Sequence, residues 1–100
     1  MTACSMKSWH VYLIECRDGS LYTGVAIDVD RRYAQHVAGK GARYTRAHPP
    51  VRLLAWFACA DRAAACRAEY AIKQLPAMSK RALCEKPERF DETVGAGLAE

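Results

Sequence analysis

The sequence predicts one α/β domain of the α+β kind, a small, mostly antiparallel three-stranded sheet flanked by helices. Three observations carry that expectation. Two strand-like runs, Trp9 to Cys16 and Leu21 to Val25, flank Asp18-Gly19, a dipeptide that favours a two-residue hairpin turn. The run from Val51 to Cys59, VRLLAWFAC, is the most hydrophobic of the chain and has strand length. Two further stretches, Val29 to Val37 and Arg62 to Leu75, repeat apolar residues at helical spacing.

Each element has a local reason. In the first strand Trp9, Val11 and Leu13 share one face and His10, Tyr12 and Ile14 the other, so both faces should be covered. Gly24, late in the second strand, leaves room for a bulge or for the close approach of a backbone or ligand. Asp28 is the expected N-cap of the first helix, with Asp30 in its first turn where the helix dipole favours an anion. Val29, Tyr33 and Val37 form an i, i+4 stripe expected to face the sheet, and Arg32 and His36 form a second stripe at its edge. The segment Ala38 to Pro50 reads as a loop with a short helical turn around Ala42 to Ala47. The run Val51 to Cys59 should be a well-covered third strand. Asp61 should cap the helix Arg62 to Leu75, whose Ala64, Ala65, Ala68, Ala71, Ile72 and Leu75 make one apolar arc. Ser79 could cap a last short helix, Lys80 to Lys86, stopped by Pro87.

One hundred residues are enough for one modest core and too few for two. The expected domain is 9–87, between a disordered leader, 1–8, and a C-terminal tail, 88–100, mobile at its end. No apolar run approaches the roughly 20 residues that span a bilayer, and the N-terminus holds no signal-peptide core, so no membrane partner and a cytoplasmic location are expected. Five cysteines, with no C-x-x-C pair, point to reduced thiols, mostly buried, with Cys4 the exposed exception.

The net charge is +4, and its distribution matters more than its sum. Between Arg31 and Ala60 there is no carboxylate, while Arg31, Arg32, Lys40, Arg43, Arg46 and Arg52 all fall there. Such a stretch favours a polyanion, although a basic solvated surface would read the same way. Lys40, Arg43 and Arg46 interleave with Tyr44, which either stacks on a base or anchors the loop in the core. Glu69 lies at the border of the apolar arc, where its plainest role is an i, i+4 ion pair with Lys73.

The triplets His10-Val11-Tyr12 and Tyr22-Thr23-Gly24, followed by Asp28-Val29-Asp30-Arg31-Arg32-Tyr33 and His36, and later by Arg67-Ala68-Glu69-Tyr70, resemble the signature of the GIY-YIG nuclease superfamily over about residues 9–75. The resemblance is nearest to the small stand-alone bacterial branch. It implies a metal-dependent endonuclease that hydrolyses phosphodiester bonds in DNA, branched or single-stranded forms included and RNA not excluded, with DNA repair as a setting and no obligate protein partner. It assigns Tyr12, Tyr22, Arg32, His36 and Glu69 to catalysis and Glu69 to a single divalent cation, Mg²⁺ or Mn²⁺. Arg31, Lys40, Arg43, Tyr44, Arg46 and Lys73 would contact nucleic acid.

Those residue types suit the chemistry. Arg32 offers a planar, permanently charged fork for phosphate oxygens. One carboxylate suffices for a hard cation that keeps most of its waters. Tyr12 or Tyr22 could orient or deprotonate the attacking water, and His36 could relay a proton or hold a phosphate. Two departures stand out. His10 and Val11 replace the glycine and isoleucine of the family name, and the chain contains no asparagine, so the phosphate-contacting Asn of several family nucleases has no counterpart unless Lys73, Gln74 or Lys80 replaces it. The rival expectation is a non-catalytic nucleic-acid-binding module on the same scaffold.

Overall fold

A computed structural model describes residues 8–90. Its elements run β1 (Trp9–Cys16), β2 (Leu21–Ala26), α1 (Val29–Val37), α2 (Arg43–Ala47), β3 (Pro50–Cys59), α3 (Arg62–Lys73), α4 (Ala77–Glu85) and a 3₁₀ turn (Pro87–Arg89). The strands form one antiparallel sheet in the order β2-β1-β3. This is the α+β architecture expected from the sequence. Leader residues 1–7 and tail residues 91–100 lie outside the described residues.

β1 is central, so its alternation builds two cores. Val11 and Leu13 pack with Ala55 and Phe57 of β3 and with Ala68, Ile72 and Leu83 of α3 and α4. On the opposite face Tyr12, Ile14 and Cys16 pack with Val29, Tyr22 and Tyr33. Helices α1 and α3 therefore cover opposite faces of the sheet. The first core continues past the expected domain boundary, because Phe90 stacks on Phe57 with ring centroids 4.4 Å apart.

The hairpin connection is four residues long, Arg17 to Ser20, where the Asp18-Gly19 dipeptide had predicted two. Gly19 takes φ +87° and donates its N–H to the Cys16 carbonyl at 2.9 Å. Asp18 contributes its carboxylate instead, accepting from the Ser20 N–H at 3.1 Å and from Ser20 Oγ at 2.6 Å. The tip is held from both sides. Asp18 pairs with His48 at 2.7 Å, and Arg81 of α4 donates to Glu15 at 3.0 Å and to the Gly19 carbonyl at 2.8 Å.

Four expectations need correction. Val37 is 57% exposed and His36 takes its place in the core at 1%. Helical geometry explains the exchange: seven residues beyond Val29 return to within about 20° of its direction, whereas eight overshoot by about 80°. β3 is not well covered, because it is an edge strand with Val51 and Trp56 more than half exposed. No bulge accompanies Gly24, since β1 and β2 pair in unbroken register and the irregularities fall between β1 and β3. The last helix begins at Ala77 with Pro76 at its N-cap, which places Ser79 inside the first turn. Among the described cysteines Cys16 is buried, while Cys59, Cys66 and Cys84 are half-buried.

Truncating Ile72, wholly buried in the first core, should cost about 2 to 5 kcal/mol as Ile72→Ala, whereas Val51→Ala should stay within about 0.5 kcal/mol. Urea unfolding of both variants against the wild type measures the difference.

Candidate active site

Tyr12 reaches the site by crossing from the central strand over its neighbour. Gly24 lies directly across from it in the register, and a Cβ there would come within 2.6 Å of the Tyr12 hydroxyl and 3.0 Å of the Tyr22 ring. The missing side chain at Gly24 is thus the seat of a phenol, which is the close approach that the strand glycine had signalled in other terms. Tyr22, on edge strand β2, lies 6.3 Å from Tyr12 and 5.2 Å from His36 between ring centroids.

His36 is held from three elements. Its Nε2 is 2.9 Å from the Tyr12 hydroxyl and its Nδ1 is 2.6 Å from Thr45 Oγ1. Helix α1 ends in a Schellman turn, with Gly39 at φ +78° and the Gly39 and Lys40 N–H groups bonded to the His36 and Gln35 carbonyls. That turn folds the chain back so that Gly41 lies against the imidazole, close enough that any Cβ would collide with Nδ1. Buried at 1%, His36 cannot itself reach a phosphate, which corrects the expectation that it lies at a solvent-accessible border.

Arg32, one turn earlier, stays half-buried and donates through Nη1 to Gln35 Oε1 at 2.8 Å. From the other face α3 supplies Glu69, half-buried and paired with Lys73 at 3.2 Å, the i, i+4 ion pair that the spacing allowed. Both charges act on the same phenols. Burial pushes the Tyr12 hydroxyl up to about 12, Tyr22 and Glu69 add to the rise, and the hydrogen bond and charge of Arg32 oppose it. Burial likewise raises Tyr22, with Lys73 and Arg32 opposing and Glu69 adding. The site therefore gathers round the β2 edge, fed by helices from opposite faces. Burial, aided by the Arg32 charge, lowers His36 to about 4, so its ring is neutral at pH 7.

The outer residues divide. Arg31, Lys40, Arg43, Arg46 and Lys73 are exposed. Tyr44 is neither a free stacking platform nor a core anchor: at 38% exposure its ring stacks on His48 at 4.3 Å and on Tyr22 at 5.8 Å. Sequence reasoning missed Gly41 and Thr45. The one signal was Thr45 in a short helical turn between Arg43 and Arg46, where a small uncharged residue can turn inward more easily than the arginines. Among the described residues no three His, Cys, Asp or Glu side chains cluster to hold a metal.

A strand hairpin, a helix bearing arginine and histidine, and a second helix bearing a glutamate around two tyrosines define a nuclease-type catalytic domain, and the family model described as the GIY-YIG catalytic domain matches residues 8–81. The chain belongs to the GIY-YIG family. Its relatives include a UPF0213 protein of Xanthomonas axonopodis pv. citri, 53% identical over 78% of this chain and 76% of that one. A UPF0213 protein of Cupriavidus pinatubonensis is 47% identical over 83% of this chain and 92% of its own. The solution NMR structure of a UPF0213 protein from Bacillus halodurans superposes with a TM-score of 0.50 at 46% identity, covering 78% of this chain and 83% of that one. No helix among the described residues is long and apolar enough to cross a membrane.

The depressed His36 makes stability pH-dependent. Below its ordinary 6.5 the unfolded chain binds a proton that the folded chain refuses until about 4, so stability present above pH 6.5 is lost as pH falls. Urea unfolding between pH 6.5 and 5 should show a decline approaching 1.4 kcal/mol per unit, about the value of one such proton, and His36→Gln should flatten it.

Proposed function

We propose that this protein is a metal-dependent endonuclease that hydrolyses phosphodiester bonds in DNA, with Tyr12, Tyr22, Arg32, His36 and Glu69 at its centre. The observation that carries this reading is that Arg32 and Glu69, from helices on opposite faces of the sheet, both act electrostatically on the Tyr12 and Tyr22 hydroxyls. A structural ion pair would not need to meet two phenols, one of them buried, at a strand edge.

The roles follow from the chemistry of each group. The Arg32 guanidinium, steadied by Gln35, binds non-bridging phosphoryl oxygens and stabilises the charge that grows on them. Tyr12 and Tyr22 orient the attacking water as neutral phenols. With the Tyr12 hydroxyl at about 12, only roughly one molecule in 10⁵ carries a phenolate at pH 7. Glu69 is the carboxylate that would hold a single Mg²⁺ or Mn²⁺. Its half-buried carboxylate fits such an ion, because a hard cation accepts one protein carboxylate with water and substrate oxygens completing its shell. Once bound, the cation would supply charge to the phosphoryl oxygens and the departing 3′ oxygen. Lys73 then releases Glu69 and faces the phosphate backbone, together with Arg31, Lys40, Arg43 and Arg46. Tyr44 contributes through its stack on Tyr22, which braces that phenol.

One observation favours a second reading, a non-catalytic nucleic-acid-binding module: Glu69 makes the ordinary i, i+4 ion pair with Lys73 that a purely structural glutamate would make. Arg32→Ala and Glu69→Gln should each lower Mg²⁺- or Mn²⁺-dependent cleavage of branched, single-stranded and duplex DNA by about 100-fold or more, with circular dichroism unchanged. Salt-sensitive binding with no cleavage by the wild type in either metal would establish the module instead. An RNA panel run alongside identifies the preferred nucleic acid.

A further inference from the structure

The hydrogen-bond chain behind Tyr12 has a direction, and its far end sets it. Thr45 Oγ1 lies 3.0 Å from the Ala42 carbonyl, and a carbonyl can only accept. The one hydrogen of the threonine hydroxyl is therefore committed to Ala42. Towards His36, 2.6 Å away, the same oxygen can then only accept, so the hydrogen between them belongs to His36 Nδ1. A neutral imidazole protonated at Nδ1 presents a bare lone pair at Nε2. The Tyr12 hydroxyl, 2.9 Å from Nε2, must donate to it.

The Ala42 carbonyl also accepts from the Arg46 N–H at 3.2 Å, and its second lone pair takes the Thr45 hydrogen. Tyr12, His36 and Thr45 are each 1% exposed, so no bulk water can substitute for a partner. Gly41 closes the Nδ1 side of the ring, and the space left by its missing Cβ is what lets the imidazole meet Thr45. Arg32 is consistent with the same order. Its positive charge acts on the Tyr12 hydroxyl and favours a phenol oxygen whose own hydrogen points away, to His36.

We propose that Thr45 is a positioning residue: it fixes His36 as the Nδ1–H tautomer and so makes the Tyr12 oxygen an acceptor towards the reacting water. The opposite tautomer would reverse the tyrosine. His36 Nε2–H would then fill a lone pair on the Tyr12 oxygen and turn the hydroxyl hydrogen into the site, where it would repel the hydrogens of a water about to attack. With its hydrogen given to His36, the Tyr12 oxygen keeps its lone pairs to draw a water hydrogen and aim the water oxygen elsewhere. This inference rests on the nuclease reading for its purpose, though not for its geometry.

The test reads the ring nitrogens directly. In the ¹⁵N-labelled full chain at pH 7, two-bond ¹H–¹⁵N correlation of His36 should show a protonated Nδ1 and an unprotonated Nε2. Thr45→Val keeps the shape and removes the acceptor, and should shift the ring towards the Nε2–H form. Thr45→Ser should retain the wild-type pattern. In cleavage assays Thr45→Val should lower kcat by about 10- to 100-fold with KM nearly unchanged, and Thr45→Ser should restore it. An Nε2–H ring in the wild type overturns the proposal even if Thr45→Val fails to fold, and so does a ring unchanged in a folded Thr45→Val. Because the nitrogen signals need no substrate, a wild-type chain that shows the Nδ1–H ring and cuts nothing would count against the nuclease reading and for the tautomer.

Discussion

The contact between the Tyr12 hydroxyl and His36 Nε2 is the constraint on which the rest of the site depends. It joins the central strand to the first helix across 24 residues and lies where water cannot replace either partner. A buried polar pair of this kind is costly unless both ends are satisfied. Several otherwise ordinary features serve that requirement. Gly24 lets the phenol pass over β2, the Schellman turn at Gly39 returns the chain to the imidazole, and Gly41 and Thr45 complete the ring's surroundings. The loop between α1 and β3 is therefore part of the core in one place, although most of its residues face solvent.

Around this neutral, buried centre the charges are arranged at the sheet edge. Arg32 and Lys73 oppose Glu69, and this surplus of positive charge suits a phosphodiester anion. The uncharged state of the two tyrosines and of His36 is equally important. A charged imidazole behind Tyr12 would add repulsion against Arg32, and an ionised phenol would need a cation to hold it. Keeping all three neutral leaves Arg32, Lys73 and Glu69 as the charges that act on the phenols. Edge strand β2 makes this possible, because groups from both faces can meet only where the sheet stops.

The candidate site was legible to the extent that residue type implies chemistry. Tyr12, Tyr22, Arg32, His36 and Glu69 stood out through the resemblance of their order and spacing to the GIY-YIG signature, and the structure brings Tyr12, Tyr22 and His36 into contact. It brings Arg32 and Glu69 to bear on the tyrosines by charge. Their orientation was not legible. Helical geometry turns His36 and not Val37 back towards the direction of Val29, but that a polar ring would be buried there depended on its partners Tyr12 and Thr45. Tyr44 illustrates the same limit, since its stacking on Tyr22 and His48 depends on a loop path that no local spacing encodes.

Local chemistry was sufficient for the elements themselves: alternation for β1, periodicity for α1 and α3, and Asp28 and Asp61 for the starts of those helices. Such features depend on neighbours within a few residues, and those are written in order along the chain. The opposite placement of α1 and α3, the exposure of β3 as an edge strand, the burial of His36 and the partnership of Thr45 emerged only when distant segments packed together. Each depends on which groups exclude water from which others, and that is a property of the assembled fold.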